Sequence, residues 1–302
     1  MTPVADTPPL VVGGGGGSGT RVVAQILTEA GLYIGRDLNG PLDNLWFTLL
    51  FKQRGLLGTG PLPPEAELPA LETELRLLKA GLFGPAARSG SDLAFLLGKA
   101  AAMARTGHAP NGSGKGLWPY LRLGKGLLPF TLPDDRLGWG FKEPNAHIFL
   151  PQLARAFPGL RYIHVMRHGL DMALSGNQQQ LYNWGPLFGI DGTGAEDAPR
   201  RSLAYWVRSN QRTLDFSARA LPGRHLVLRF ETLVADPRAA VDEILAFAGL
   251  SLPPQERDRL AGLPREPGSM GRYRAAPPEA FAARDIEAVR ALGFEVDPAY
   301  AA

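Results

Sequence analysis

The sequence contains no cysteine among its 302 residues. Disulfide bonds, thiolate metal sites and a cysteine nucleophile are therefore excluded. No apolar run approaches the length of about 18 residues that a transmembrane helix needs. The first residues do not combine a basic segment with an apolar one, as a secretory signal would. We therefore expect a cytoplasmic protein with no membrane span.

Strong charge of one sign is also missing. The formal net charge is only +3, and the arginines are scattered along the chain instead of massed in one run. A nucleic-acid partner would require a concentrated basic surface, so we expect none. No group of His, Asp and Glu residues has the spacing of metal ligands, so we also expect no metal. A composition of 45% hydrophobic and 20% charged residues is typical of a globular protein.

Glycine, by contrast, is concentrated near the N-terminus, where residues 10–23 read LVVGGGGGSGTRVV. The pattern predicts a strand over 10–12, a glycine turn and a helix over 22–30. This order is typical of a phosphate-binding loop, because glycine lets backbone N–H groups approach the anion and the helix dipole favours negative charge there. A flexible Gly/Ser linker is the alternative, but the position between a strand and a helix favours the anion site. The predicted ligands are Gly15, Gly16, Gly17, Ser18, Gly19, Thr20 and Arg21.

The loop alone does not identify the anion. A P-loop NTPase requires G-x-x-x-x-G-K-[ST], and this run has no lysine. Gly14, Gly16 and Gly19 fit G-x-G-x-x-G, and Asp37 follows 18 residues after Gly19, where a ribose-binding acid is expected. Five consecutive glycines make that match almost automatic. A nucleotide kinase and an NAD(P)-dependent enzyme therefore remain alternative interpretations of the loop.

A second anion site is predicted in RYIHVMRHGLDMALS, residues 161–175. A strand over 162–166 places Arg167 at its carboxyl end, and a helix that starts near residue 170 carries Ser175. The two residues are eight positions apart. A guanidinium at a strand end and a hydroxyl near a helix start are suited to converge on a second phosphate.

Strands alternate with helices through the rest of the chain. Further strands are predicted over 138–141 and 226–230, and further helices over 148–156, 202–220 and 239–248. We therefore predict an α/β fold, a doubly wound parallel sheet in a P-loop-like three-layer α/β/α arrangement. Residues 45–135 are expected to form a helical insertion, with helices over 68–80 and 92–105. We expect the whole chain, residues 1–302, to be one domain.

Four segments, in order, resemble the sulfotransferase family that uses 3′-phosphoadenosine 5′-phosphosulfate (PAPS). GGSGTR (16–21) is similar to the loop that holds the 5′-phosphosulfate, and MRHGLDMALS (166–175) is similar to the R-x(7)-S segment that holds the 3′-phosphate. The segment 228–250 resembles a strand–helix unit whose aromatic residue, here Phe230, packs near the adenine. GRYR (271–274) resembles the segment that closes over the nucleotide. The resemblance implies PAPS as the donor and implies that Arg167 and Ser175 serve the 3′-phosphate. The R-K-G that one branch has before the C-terminal segment is not kept, and we predict Arg265 and Arg272 as residues that serve the 3′-phosphate in its place.

The chain departs from the family pattern where the chemistry occurs. Gly17 stands where the family loop has Lys or Arg, and Lys142-Glu143-Pro144 stands where one branch has K-T-H, so the lysine is kept and the catalytic histidine is not. Sulfonate transfer needs a cation or N–H at the leaving oxygen and a base for the acceptor hydroxyl. We predict Lys142 for the first role, with Arg21 as an alternative. For the base we predict Asp37 or Glu143, with Asp43 near Asp37 and with His147 as a third candidate.

The acceptor is left open by the sequence. Residues 111–126 interleave basic and aromatic side chains, which suits a sugar, an acidic glycan or an aromatic hydroxyl, and equally suits an ordinary surface loop. Residues 176–182 (GNQQQLY) offer amides to a polar acceptor. We expect transfer to a hydroxyl or amine of a carbohydrate or small metabolite, and we consider a homodimer. A non-catalytic nucleotide-binding protein is the remaining alternative, because Gly17 replaces the loop cation.

Overall fold

The computed structural model describes residues 4–53, 55–108, 112, 114–133, 135–190 and 197–300. Its strands in those ranges are β1 (Leu10–Gly14), β2 (Leu32–Tyr33), β3 (Gly138–Lys142), β4 (Arg161–Met166) and β5 (His225–Arg229). They form one sheet in the order β2-β3-β1-β4-β5, and every neighbouring pair is parallel. The chain passes from β3 over β1 to β4. The carboxyl ends of β1 and β4 therefore flank the place where such sheets bind ligands.

Helices cover both faces of this sheet, which confirms the predicted doubly wound α/β fold. The helices between β2 and β3 belong to the region that the sequence predicted as an insertion. The α-helices are α1 (Thr20–Glu29), α2 (Leu45–Phe51), α3 (Glu72–Phe83), α4 (Gly90–Thr106), α5 (Trp118–Leu127), α6 (Leu150–Ala156), α7 (Gly169–Ala173), α8 (Gln179–Trp184), α9 (Ala198–Ala220), α10 (Phe230–Ala235), α11 (Pro237–Ala248), α12 (Pro254–Ala261) and α13 (Ala283–Ala291). Short 3₁₀ helices include Pro144–Phe149 before α6, Gly185–Phe188 after α8 and Arg272–Ala275 before α13.

The central strand β1 shows why both faces are covered. Leu10 and Val12 point into a core shared with α1 and α11, whereas Val11 points into the core on the opposite face. All three side chains are buried. A parallel strand between two helical layers is apolar on both sides, and this explains the short continuous apolar run in the sequence.

The helices of the insertion share the core on the Val11 face. Trp46 of α2 packs so closely against Gly81 of α3 and Gly126 of α5 that a Cβ on either glycine would collide with the indole. The N–H of Asn44 donates to the carbonyl of Lys142 at 2.9 Å, which ties the start of α2 to the end of β3. The one-domain organisation stays a prediction.

Some elements differ from the sequence prediction for identifiable reasons. The helix predicted over 148–156 begins earlier, as the 3₁₀ helix Pro144–Phe149, because Glu143 caps it by accepting from the N–H of Asn145. Phe230, predicted at the end of a strand, is instead the first residue of α10. The sequence analysis did not predict α2. Its residues are buried almost all round, so no polar face reveals a helical period.

Within the described ranges, no helix is both long enough and apolar enough to cross a bilayer. The same residues contain no group of three or more His, Cys, Asp or Glu side chains arranged to hold a metal ion. The cytoplasmic location, the absence of a metal and the homodimer stay predictions.

Candidate active site

The glycine loop connects β1 to α1 at the carboxyl edge of the sheet. Gly14, Gly17 and Gly19 have φ angles of +145°, +93° and +98°, a region that residues with side chains rarely adopt. A Cβ on Gly14 would collide with the backbone of Val165 in β4, and a Cβ on Gly19 would collide with the Phe230 ring. Glycine is therefore required at these positions by the path of the loop and by its packing.

The loop presents hydrogen-bond donors that fit a phosphate or sulfonate group. The N–H of Gly16 donates to Oε1 of Gln180 at 3.0 Å, so this donor is already directed at an oxygen atom. The Ser18 hydroxyl is buried and has no hydrogen-bond partner among the described residues. Thr20 begins α1, whose first N–H groups lack partners within the helix. The side chain of Arg21 is exposed.

Arg167 follows β4 directly and lies beside this loop. Its Nη1 donates to the carbonyl of Gly17 at 3.5 Å, and its Nη2 donates to Oγ of Ser269 at 2.8 Å. The guanidinium carbon also lies 5.5 Å from the centre of the Phe230 ring. Burial lowers the pKa of Arg167, although an arginine in a protein stays protonated at neutral pH. The structure thus brings the two predicted anion segments together around one cation.

Arg272 lies beside Ser269, the partner of Arg167. Ser175, predicted within a helix, instead lies just after α7, which ends at Ala173. The Nη1 of Arg272 donates to the carbonyl of Leu174, next to Ser175, at 3.4 Å, and its Nε donates to the carbonyl of Ser269 at 3.2 Å. The sequence analysis did not predict Ser269, because a single serine outside a motif carries no signal. Arg265 is exposed, and its role stays a prediction.

The C-terminal segment is held over this region by Asp171 of α7. The two carboxylate oxygens accept from the N–H of Gly271 at 2.7 Å and from the N–H of Tyr273 at 3.1 Å. The Tyr273 ring also stacks on His168, with ring centres 4.6 Å apart. These contacts explain how GRYR and the R-x(7)-S segment, which are about 100 positions apart, come to share one site.

Two ion pairs lie at the carboxyl end of β3. Lys142 pairs with the Asp43 carboxylate, and Glu143 pairs with Nζ of Lys52 at 2.6 Å. Burial lowers the pKa of Lys142 and raises the pKa of Glu143, while the opposite charge beside each group counteracts the shift. Only 2% of Lys142 and none of Glu143 is exposed. Both predicted residues are therefore neutralised inside the protein by partners from the region between β2 and β3.

The other predicted bases are also buried. Asp37 forms an ion pair with Arg122 of α5, and its carbonyl accepts from the N–H of Leu45 at 3.0 Å. His147 donates through Nδ1 to the carbonyl of Pro144 at 2.7 Å. Burial lowers the pKa of His147 to about 3, so the imidazole is neutral at pH 7. The contacts of Asp37 tie the start of α2 to α5.

A cavity of about 120 Å³ joins the glycine loop to the ion pairs. Gly15 and Gly16 line it, and so do Asp43 and Lys52. Amide side chains of residues 177–180 contribute another wall, as the GNQQQLY segment had suggested. One carboxylate and one ammonium therefore share a cavity with the loop. They are the partners of the predicted Lys142 and Glu143 instead of those residues themselves.

Lys52 was not identified from the sequence, and Asp43 was noted only as a neighbour of Asp37. Lys52 follows α2 directly and precedes its partner Glu143 by 91 positions. No local motif connects the two residues. Their pairing depends on the packing of α2 against the end of β3, which is a property of the tertiary structure.

Comparisons with known proteins show the family of this chain. The model of the sulfotransferase family matches residues 8–254, whereas a comparison with curated proteins gave no match. Among solved structures, the chain is similar to the sulfotransferase domain of the Synechococcus PCC 7002 olefin synthase, with a TM-score of 0.51, 18% identity and 96% of each chain covered. It is also similar to sulfotransferase STF9 from Mycobacterium avium, with a TM-score of 0.48, 17% identity, and coverage of 98% of this chain and 78% of that chain. Since the family match spans most of its length, this chain belongs to the sulfotransferase family.

Proposed function

We propose that this sulfotransferase takes its sulfonate from PAPS and transfers it to a hydroxyl group of a small molecule. The observation that carries the proposal is the contact between Arg167 and the glycine loop, at 3.5 Å, where β1 and β4 end. PAPS carries a phosphosulfate on its 5′-oxygen and a phosphate on its 3′-oxygen, so it needs two adjoining anion sites. ATP has no 3′-phosphate and would leave Arg167, Ser175 and Arg272 without a role.

In this proposal the loop holds the phosphosulfate. The N–H of Gly16 and the buried hydroxyl of Ser18 donate to its oxygens. An oxygen of the phosphosulfate then takes the position of the Gln180 amide oxygen, which accepts a hydrogen bond from the N–H of Gly16 in the protein alone. The 3′-phosphate is placed at Arg167, Ser175 and Arg272. A charge-assisted hydrogen bond from a guanidinium to a phosphate is about twice as strong as a neutral one.

Lys52 is proposed as the cation that stabilises the leaving group, because Gly17 stands where the family loop has Lys or Arg. As the acceptor oxygen bonds to sulfur, the bond from sulfur to the 5′-phosphate oxygen breaks, and negative charge develops on that phosphate. A cation that lines the same cavity as Gly15 and Gly16 is placed to stabilise this charge. In this proposal Lys142 is a positioning residue, because its ion pair holds Asp43.

Asp43 is proposed as the base that takes the proton of the acceptor hydroxyl. All three carboxylates form ion pairs, but that of Asp43 lines the cavity, whereas those of Asp37 and Glu143 are buried away from it. A base has to lie within hydrogen-bond reach of the proton that it removes, so access decides between these carboxylates. The ion pair with Lys142 keeps the Asp43 carboxylate in place.

The nucleotide part of the proposal is tested by separate titrations with 3′,5′-adenosine bisphosphate, ATP and NADP, followed by thermal unfolding. A ligand that binds only the folded protein stabilises it by about 2.7 kcal/mol at a free concentration 100 times its Kd. We expect the bisphosphate to raise the Tm at concentrations where ATP and NADP do not. A higher affinity for ATP or NADP would overturn the proposal and favour the kinase or NAD(P)-dependent alternative.

Catalysis is tested with PAPS that carries a labelled sulfonate and a set of hydroxyl acceptors. Labelled product is the expected result. Selective bisphosphate binding without transfer to any acceptor, and without hydrolysis of PAPS, would favour the non-catalytic nucleotide-binding protein.

A further inference from the structure

A second cavity, of about 260 Å³, adjoins the first. Lys52 and Asn183 line both cavities, so the two spaces meet at these side chains. The wall of the second cavity comes from residues 52, 53, 55 and 57–59, which follow α2, from His108, which follows α4, and from residues 182–184, 186 and 187. The donor chemistry proposed above makes no use of this space.

The lining of the second cavity is mainly apolar. It includes Leu57, Pro186 and Leu187, together with the rings of Tyr182 and Trp184. The indole N–H of Trp184 already donates to Oδ1 of Asn145 at 2.7 Å, so the indole offers the cavity little besides apolar surface. A sugar placed here would lose the hydration of several hydroxyls without gaining enough partners. An apolar group would be stabilised in proportion to the area that it buries.

Two polar residues, Lys52 and Asn183, lie where the second cavity meets the first. The charge of Lys52 is shared between Glu143, at 2.6 Å, and, in the proposed reaction, the leaving phosphate. Burial and the nearby Lys52 charge lower the pKa of His108, so the imidazole is neutral at pH 7. Among the described lining residues there is thus no surplus charge to hold an anionic acceptor.

Asn183 offers a hydrogen-bond acceptor at the same junction. Its Nδ2 donates to the carbonyl of His108 at 3.0 Å, which fixes the orientation of the amide. Its Oδ1 is buried and has no hydrogen-bond partner among the described residues. A buried acceptor without a partner is costly, and a hydroxyl group that donates to it in the bound state, before its hydrogen turns to Asp43 for transfer, would remove that cost.

We propose that the second cavity binds the acceptor, and that the acceptor is an uncharged alcohol or phenol with an apolar body. The hydroxyl lies between Lys52 and Asn183, facing the first cavity, and the apolar body packs against Leu57, Trp184 and Leu187. The volume of about 260 Å³ is slightly below the range of about 300–1,000 Å³ of typical small-molecule sites. The cavity therefore suits a small molecule or one end of a longer chain. This inference rests on the proposed sulfonate transfer.

Binding of 2-naphthol to the bisphosphate-loaded protein, followed by fluorescence, tests the location. Thr59 lines the cavity and is exposed, so Thr59→Trp fills the space from its rim without disturbing a buried core. We expect this variant to weaken 2-naphthol binding by about tenfold or more. Thr106→Trp is the matched control, because Thr106 is also exposed and lines neither cavity. Failure of 2-naphthol to bind, or equal binding by the wild type and Thr59→Trp, would overturn the inference.

Transfer of labelled sulfonate to a series of alcohols tests the chemical class. We expect kcat/KM to rise about three- to fourfold for each methylene from 1-butanol to 1-hexanol, the factor for burying one methylene group. Glucose and glucuronate should be poor acceptors. If glucose is the better acceptor, the inference is wrong while the proposed sulfonate transfer stands. A failed bisphosphate titration would instead count against the proposed function, whatever 2-naphthol does.

Discussion

The most direct perturbation of the proposed donor site is the replacement of Arg167 by alanine. This side chain is 6% exposed, and it connects the glycine loop to Ser269 in the C-terminal part of the chain. If it holds the 3′-phosphate, its loss should affect only nucleotides that carry that group. We therefore compare the affinities for 3′,5′-adenosine bisphosphate and for 5′-AMP, which differ by the 3′-phosphate alone.

The expected magnitude follows from the bonds that are lost. A hydrogen bond to a charged group contributes about 1.5–3 kcal/mol. With about 1.4 kcal/mol for each factor of ten, the bisphosphate should bind about 10- to 140-fold more weakly to Arg167→Ala. The affinity for 5′-AMP should change far less. Thermal unfolding of the variant checks its folding, because Arg167→Ala also loses the contacts with Gly17 and Ser269.

Isothermal calorimetry with both nucleotides measures the two ratios. Arg284→Ala is the matched control, since this arginine side chain is 76% exposed and lies in the same C-terminal part of the chain. Arg167→Lys separates charge from shape, because a lysine keeps the charge and loses the planar fork of the guanidinium. Equal losses of affinity for the bisphosphate and for 5′-AMP would refute the assignment of Arg167 to the 3′-phosphate.

Two further predictions concern the proposed base, Asp43, and the buried His147. Asp43→Asn should lower kcat by about 10² or more, as expected for loss of a general base. Asp37→Asn should instead mainly lower the Tm, because it loses the ion pair with Arg122. A larger loss of kcat in Asp37→Asn would reverse the assignment, and bisphosphate binding checks that both variants fold. Burial lowers the pKa of His147 to about 3, so between pH 6 and pH 4 the unfolded chain binds the extra proton and the free energy of unfolding falls as the pH falls. Urea unfolding of the wild type should therefore show a slope about 1.4 kcal/mol per pH unit steeper than His147→Gln in this window, and identical slopes would contradict the buried neutral state.

The two segments proposed to bind the anionic groups of PAPS could be located from the sequence, because each lies within a short stretch of chain. A strand, five glycines and a helix start define the first anion site, and a strand end with Arg167 and Ser175 defines the second. Their place at one edge of the sheet then follows from the rule that parallel strands present their carboxyl ends together. The structure agrees, with Arg167 in contact with the carbonyl of Gly17.

The catalytic candidates were harder to assign, because burial decides their roles and burial is not written in a local motif. Lys142 and Glu143 match the family position, yet each is neutralised by a partner from the region between β2 and β3. Asp37 has the right residue type near the first helix, but Arg122 pairs with it. Residue type was therefore a poor guide to which carboxylate reaches the cavity.

The sequence by itself determined the α/β fold and the family resemblance, and it located the two segments that we propose to bind anions, since these depend on periodicity and motifs within about 15 residues. Only the tertiary structure decided which charges face the cavity. Lys142 and Asp43 are 99 positions apart, and Arg167 and Ser269 are 102 positions apart. These contacts form when the region between β2 and β3 and the C-terminal segment pack onto the sheet. The physical reason is that an ion pair is set by distance in space and by loss of solvent, and neither follows from separation along the chain.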